Sequence, residues 1–166
     1  MGDVGEVRPR RAQMIVVVDR SGSMAARTSD GSTRWGALRT AVNQVLPRVD
    51  LTYELGVAIF PINGGCGIAP TGVNLPPITG GGSLIQMFLG QFGPDGWTPT
   101  QQALDAARQW YASNPSTLPR FILLATDGAP NCGSDVGEVV SSLQALRSAG
   151  IDTFVLGIPG PASALQ

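Results

Sequence analysis

A chain of 166 residues with 43% hydrophobic residues, 14% charged residues and a formal net charge of -1 fits one soluble globular domain with its own core, and it lacks the basic stripe of a nucleic-acid-binding surface. All eleven cationic residues are arginine and histidine is absent, which excludes a Ser-His-Asp triad, zinc held by imidazole and a lysine-bearing phosphate loop. Arg8, Arg10 and Arg11 precede an apolar run, but that run stops at Asp19 without a small-residue cleavage site, so neither a targeting segment nor a membrane span is expected.

Residues 1–13 are charged, glycine-bearing and aperiodic, and read as a flexible arm ahead of a domain at 14–166. "MIVVVD", 14–19, reads as a strand buried on both faces. A polar loop ends near Thr33, after which Trp35, Leu38, Val42, Val45, Leu46 and Val49 recur at helical spacing and predict an amphipathic helix over 34–49. "YELGVAIF", 53–60, is a second strand. From Pro61 to Gly82 the chain is rich in Gly and Pro; a short edge strand is expected around Thr71 to Leu75, and the run Gly80–Gly82 reads as a flexible connector. "SLIQMFLGQF" reads as a short helix, and "TPTQQALDAARQWY", 98–111, as a clearer one. "RFILLATDG" is another apolar strand ending on an acid. "SDVGEVVSSLQALRSAG" carries Val136, Val139, Val140, Leu143 and Leu146 on one helical face and stops at Gly150, and "IDTFVLGI" is a last strand. Apolar strands alternating with amphipathic helices predict an α/β fold: a doubly wound, mostly parallel sheet with helices on both faces and no internal repeat.

In such a sheet ligands sit beyond the carboxyl ends of the strands. Two strands end in acids there, Asp19 and Asp127. Each has a bland reading, since Asp commonly caps helices and Asp-Gly is a frequent turn. The spacing of Asp19-Arg20-Ser21-Gly22-Ser23 shifts the balance: three oxygen-bearing side chains fall at alternate positions, and Gly22 permits a sharp bend between the serines. Hard divalent cations take oxygen ligands, and magnesium keeps several waters with only one or two carboxylates. Asp135 and Glu138 fit a capping box, while Asp30 and Asp95 lie in glycine-containing turns.

Asp19, Ser21 and Ser23 match the D-x-S-x-S motif of the von Willebrand factor type A domain, the fold also found as the inserted domain of integrins. Thr98 in "GWTPT" resembles the family's second element and Asp127 in "LLATDG" its third, over a likeness running from Met14 to Ile158. Thr98 has a structural rival, because Thr98-Pro99-Thr100-Gln101 fits a capping box with Pro at the first helical position. The resemblance implies a Rossmann-like fold and a metal-ion-dependent adhesion site. In it Ser21, Ser23 and Thr98 hold magnesium, or else manganese or calcium, directly, with Asp19 and Asp127 acting partly through water. A carboxylate from a protein partner completes the coordination, and no bond is made or broken, so the expectation is a binding module and no enzyme. A second class stays open, because related domains of intracellular machines such as magnesium chelatase dock an ATPase assembly.

The two classes differ in redox setting. Cys66 and Cys132 allow at most one disulfide; a bridge would favour an exported or cell-surface module and free thiols a cytoplasmic one. The family usually adds a strand and a helix after the strand that "IDTFVLGI" resembles, whereas this chain ends at "PGPASALQ". A fragment, or a domain lacking its last strand and helix and so exposing one sheet edge, is therefore expected.

Overall fold

The structure is a computed structural model and describes residues 11–158. Five strands form one sheet, with β1 (Ala12–Asp19), β2 (Tyr53–Phe60), β3 (Leu75–Ile78), β4 (Arg120–Thr126) and β5 (Ile151–Gly157) arranged in the order β3-β2-β1-β4-β5. Only β3 runs antiparallel to its neighbour. The helices are α1 (Arg34–Val49), α2 (Gly81–Leu89), α3 (Thr100–Ser113) and α4 (Val136–Ser148). The expected doubly wound, mostly parallel sheet is what the chain forms.

The alternation of a β-strand explains why β1 is apolar without interruption. Val16 and Val18 point to one face, where they meet Trp35, Leu38, Val42 and Leu46 of α1 and Ile85 and Leu89 of α2. Ile15 and Val17 point to the other, against Leu104, Ala107 and Tyr111 of α3 and Leu146 of α4. Each of these four β1 side chains is essentially sealed from water, which contributes about 1.5–3 kcal/mol apiece. With helices on both sides and β1 in the middle, the connections leaving β1 and β4 part to opposite faces, and a crevice opens at their carboxyl ends. The register pairs Val18 with Ala125, so Asp19 and Thr126 come next and side by side.

Several boundaries differ from expectation. β1 begins at Ala12, because the amides of Ala12 and Gln13 already bond the carbonyls of Thr52 and Pro119. The rest of the expected arm, residues 1–10, and the terminal segment 159–166 lie outside the described residues. The edge strand is Leu75–Ile78 and contains Pro76 and Pro77, which an edge tolerates because it needs fewer donors. Helix α3 begins two residues later than the spacing suggested. Val45, Val136 and Val140 face outward at 51%, 61% and 45% exposure, while on the expected α4 face Leu146 is buried and Val139 and Leu143 pack against the same core, with Ser142 also buried. Among the described residues β5 is an edge strand, with Phe154, Val155 and Leu156 exposed, and no helix is long and apolar enough to cross a membrane. The Asp135–Glu138 capping box forms as expected.

The triple-glycine run is the main correction, since it is no connector. Gly81 and Gly82 open α2 and are buried, and the amide of Gly82 donates to Asp50 Oδ1 at 2.9 Å, so the acid that follows α1 supplies the cap that α2 lacks locally. A side chain at Gly81 would place its Cβ 2.1 Å from the carbonyl oxygen of Leu55, a backbone atom of β2 that cannot yield. Gly81→Ala is therefore expected to destabilise the domain by about 2 kcal/mol or more, the scale of overpacking in a rigid site. Urea denaturation gives the value; an unchanged midpoint would mean that α2 does not seat on β2 in this way.

Candidate functional site

The site grows out of the end of β1. The Asp19 side chain is fully buried; its Oδ1 accepts from the Ser21 amide at 2.8 Å and its Oδ2 from the Thr126 hydroxyl at 2.7 Å. Burial pushes the Asp19 carboxyl above the usual range, hydrogen bonds from Thr126 and Ser21 pull it down, and the neighbouring Asp127 charge adds to the rise. After Asp19 the chain enters a 3-10 turn at Gly22–Ala25, fastened by the buried Met24. The bend brings Ser21 Oγ and Ser23 Oγ within 3.0 Å of each other. Ser23 then donates across 104 residues to Asp127 Oδ1 at 2.8 Å, which joins the loop after β1 to the loop after β4. Four of the five residues singled out in the sequence thus form one hydrogen-bonded cluster. Ser23 itself is exposed, so the cluster opens to solvent on that side.

Thr98 arrives by another route. Gly96 takes a positive φ of +75°, and any Cβ there would lie 2.8 Å from Pro61 Cγ and 2.9 Å from the Gly65 carbonyl oxygen, so only glycine fits. Its carbonyl accepts from the Gly22 amide at 3.0 Å, which lays this loop against the serine turn. The Thr98 amide donates to Asn131 Oδ1 at 2.6 Å, and the Asn131 amide returns a bond to the Thr98 carbonyl at 3.0 Å. Helix α3 takes Pro99 as its N-cap residue without a side-chain bond, so the Thr98 hydroxyl is not used as a helix cap and the rival reading fails.

Two arginines escaped the sequence reading. Arg20 is only 6% exposed, and its guanidinium donates from Nε to the Pro61 carbonyl and from Nη1 to the Gly93 carbonyl, each at 2.6 Å. It also lies over the Phe92 ring and 3.8 Å from Asp95, while the Asp95 amide bonds the Arg20 carbonyl. One buried cation therefore ties together the loop after β2 and the loop that carries Thr98. Arg34, the first residue of α1, places Nη1 2.6 Å from Asp127 Oδ2. A signal for Arg20 was present, because an arginine directly after a buried strand must either find acceptors or leave; for Arg34 nothing local pointed to Asp127.

Cys66 and Cys132 are joined by a disulfide. It links the loop after β2 to the loop after β4, the two loops that hold the Thr98 segment, for the Trp97 amide bonds the Gly65 carbonyl while Thr98 bonds Asn131. A bridge across a sequence separation of 66 stabilises by about 4 kcal/mol in the chain-entropy account. Trp97, 60% exposed, stands on this clamped loop.

The donors brought together are hydroxyls and two carboxylates, an all-oxygen set that suits a hard dication and not a soft metal. Among the described residues no group of three His, Cys, Asp or Glu side chains gathers to hold a metal ion, in keeping with a cluster of two acids in which hydroxyls supply the other oxygens.

The family profile of the von Willebrand factor type A domain matches residues 14–129. The chain is 27% identical over 149 residues to the uncharacterized protein YwmD of Bacillus subtilis (strain 168); the match covers 84% of this chain and 64% of that protein, so the chain spans less than two thirds of its relative. Among solved structures it resembles the pilus adhesin SpaC of Lactobacillus rhamnosus GG, with a TM-score of 0.69, 18% identity, and coverage of 89% of this chain and 24% of that one. It also resembles the manganese-loaded TRAP protein of Plasmodium vivax, with a TM-score of 0.64, 20% identity, and coverage of 95% and 61%. At these identities the structural likeness speaks to the fold.

Because Arg20 donates to the Pro61 and Gly93 carbonyls, the first of these contacts buried, Arg20→Met is expected to cost about 3 kcal/mol, from two charge-assisted bonds lost. Amide hydrogen exchange at Asp95 and Trp97 should accelerate in the same variant. Unchanged exchange there would show that the Thr98 loop does not depend on Arg20.

Proposed function

Since the chain belongs to the von Willebrand factor type A domain family, we propose that it is an adhesion-type protein-binding module that takes a divalent cation at Asp19, Ser21, Ser23, Thr98 and Asp127 and captures an Asp or Glu side chain of a protein partner. The observation that carries this reading is the bond from Ser23 to Asp127, which gathers the oxygens of two strand-end loops into one cluster open to solvent. Magnesium is the cation the set suits best, with manganese or calcium as substitutes. When bound it supplies an electrophilic centre for an incoming carboxylate oxygen.

The protein's own residues do the rest. Ser21, Ser23 and Thr98 offer neutral oxygens, so the ion's charge is offset only by Asp19 and Asp127. Asp19 is held in place by the Ser21 amide and the Thr126 hydroxyl, and its burial makes its charge worth stabilising with a nearby cation. Trp97, rigidly presented on the clamped loop, offers an apolar surface beside the cluster for a partner to cover. The SpaC pilus adhesin and the manganese-loaded TRAP protein share this fold, which supports both the adhesive role and the cation.

The alternative is an intracellular subunit that docks an ATPase or chelatase-type assembly. The disulfide between Cys66 and Cys132 supports the exported setting over that one, since such bridges persist where the surroundings are oxidising. Turnover is not part of this proposal: the chain has no histidine and no lysine, so the commonest side-chain general base is absent, and the cluster's two carboxylates are assigned here to the cation. Purified protein supplied with magnesium should release no product from ester, phosphate or peptide substrates; hydrolysis lost in Asp19→Ala would overturn that view.

Calorimetric titration with manganese is expected to show one site of modest affinity, weakened ten-fold or more (about 1.4 kcal/mol) in Asp127→Ala and Thr98→Ala. Titration of the intact protein without heat or saturation would sink the cation, and undiminished binding in Thr98→Ala would remove that residue from the set.

A further inference from the structure

We propose that Arg34 is a built-in counter-cation of the site: by pairing with Asp127 it holds that carboxylate back from direct ligation, lowers the affinity for a divalent ion, and leaves a bound ion more electrophilic toward a partner's carboxylate. This rests on the reading that the cluster takes a cation. The pair is close and dry, with Arg34 Nη1 2.6 Å from Asp127 Oδ2 and side-chain exposures of 12% and 0%. Little water intervenes to screen it, so its attraction far exceeds that of a surface ion pair. Both oxygens of Asp127 are thereby engaged, Oδ1 by the Ser23 hydroxyl and Oδ2 by the guanidinium.

Arg34 is also fixed from its own side. Its amide donates to the Ala26 carbonyl at 2.9 Å, Thr33 before it caps α1 through the Gly36 amide, and the next residue, Trp35, is buried and bonds the Phe92 carbonyl. The guanidinium therefore sits at the start of a 16-residue helix whose positive dipole end reinforces its charge. Arg20, the other buried arginine nearby, is turned toward the carbonyls of Pro61 and Gly93 and toward Asp95, and does not take this place. Asp19 and Asp127 bring two negative charges and Arg34 cancels one. A dication in the cluster is left with a surplus of positive charge that an acidic partner can satisfy.

The test turns on the sign of the effect. Removing the charge in Arg34→Gln is expected to tighten manganese binding about ten-fold by calorimetry, the scale for deleting one charge near a dication at a partly shielded site. Arg34→Lys, which keeps a charge there, should stay within about three-fold of the original. A merely structural loss would weaken binding, so tightening is not something damage can imitate. If the unaltered protein binds manganese and folded Arg34→Gln binds it equally or more weakly, the counter-cation role falls and the proposed function stands. If neither binds, both fall; if only Arg34→Gln binds, the opposing charge of Arg34 is supported and the proposed function of the unaltered protein falls. Should Arg34→Gln not fold, Arg34→Met refills the slot without charge and carries the same comparison, and failure of both to fold would make Arg34 a structural strut and overturn the proposal.

Discussion

Two neighbouring parallel strands end in acids at the same edge, and the rest of the molecule is arranged around that fact. Asp19 closes β1 and Asp127 follows β4, while the register that pairs Val18 with Ala125 leaves the two carboxylates no choice but proximity. Like charges so placed repel, and burial of Asp19 makes its charge costlier still. The surrounding groups answer that cost. Ser21, Thr126, Ser23 and Arg34 each donate to one or the other acid, and every one of them comes from a strand end, loop or helix start at the carboxyl edge of the sheet.

The carboxyl edge is also where backbone polar groups must be satisfied without a ladder. Two devices do this, the guanidinium of Arg20 reaching two carbonyls and the amide and side chain of Asn131 framing Thr98, while the disulfide fastens the outer loops around them. They act on the same short segment, Asp95–Thr98, which has no regular structure of its own. A loop held by so many remote partners can present a hydroxyl and an indole in fixed positions, and fixed positions lower the ordering cost of binding. The same logic explains Gly96, whose lack of a side chain lets three loops converge at one point.

The elements of the fold were legible because they rest on local patterns. The period of α1 was read to the residue from Trp35, Leu38, Val42 and Leu46, and the continuous apolar runs of β1, β2 and β4 implied a sheet buried on both faces. Ambiguous composition misleads: three consecutive glycines suggest flexibility, whereas Gly81 is glycine because α2 lies against the β2 backbone, and Val136 and Val140 share a helical face with Val139, Leu143 and Leu146 yet stay exposed while those three pack on the core. Hydrophobic periodicity shows which residues can share a face; it does not show whether a neighbour comes to cover it.

The candidate site divides in the same way. Asp19, Ser21 and Ser23 stand out in the chain by their alternate spacing at a strand end with a glycine bend between the serines, whereas Thr98 and Asp127 join them as candidates only through the resemblance to the family's motif. Whether Thr98 caps a helix, whether Cys66 meets Cys132, and which cations stand beside the acids were decided only by the tertiary structure. The partners in those contacts are separated by tens of residues, Arg34 from Asp127 by 93 and Cys66 from Cys132 by 66, and they meet because the loops that carry them gather at one edge of the sheet, the cysteine-bearing loops reaching across the end of β1 that lies between β2 and β4. Local chemistry thus determined what the site is made of, and the packing of the sheet determined how its charges are balanced.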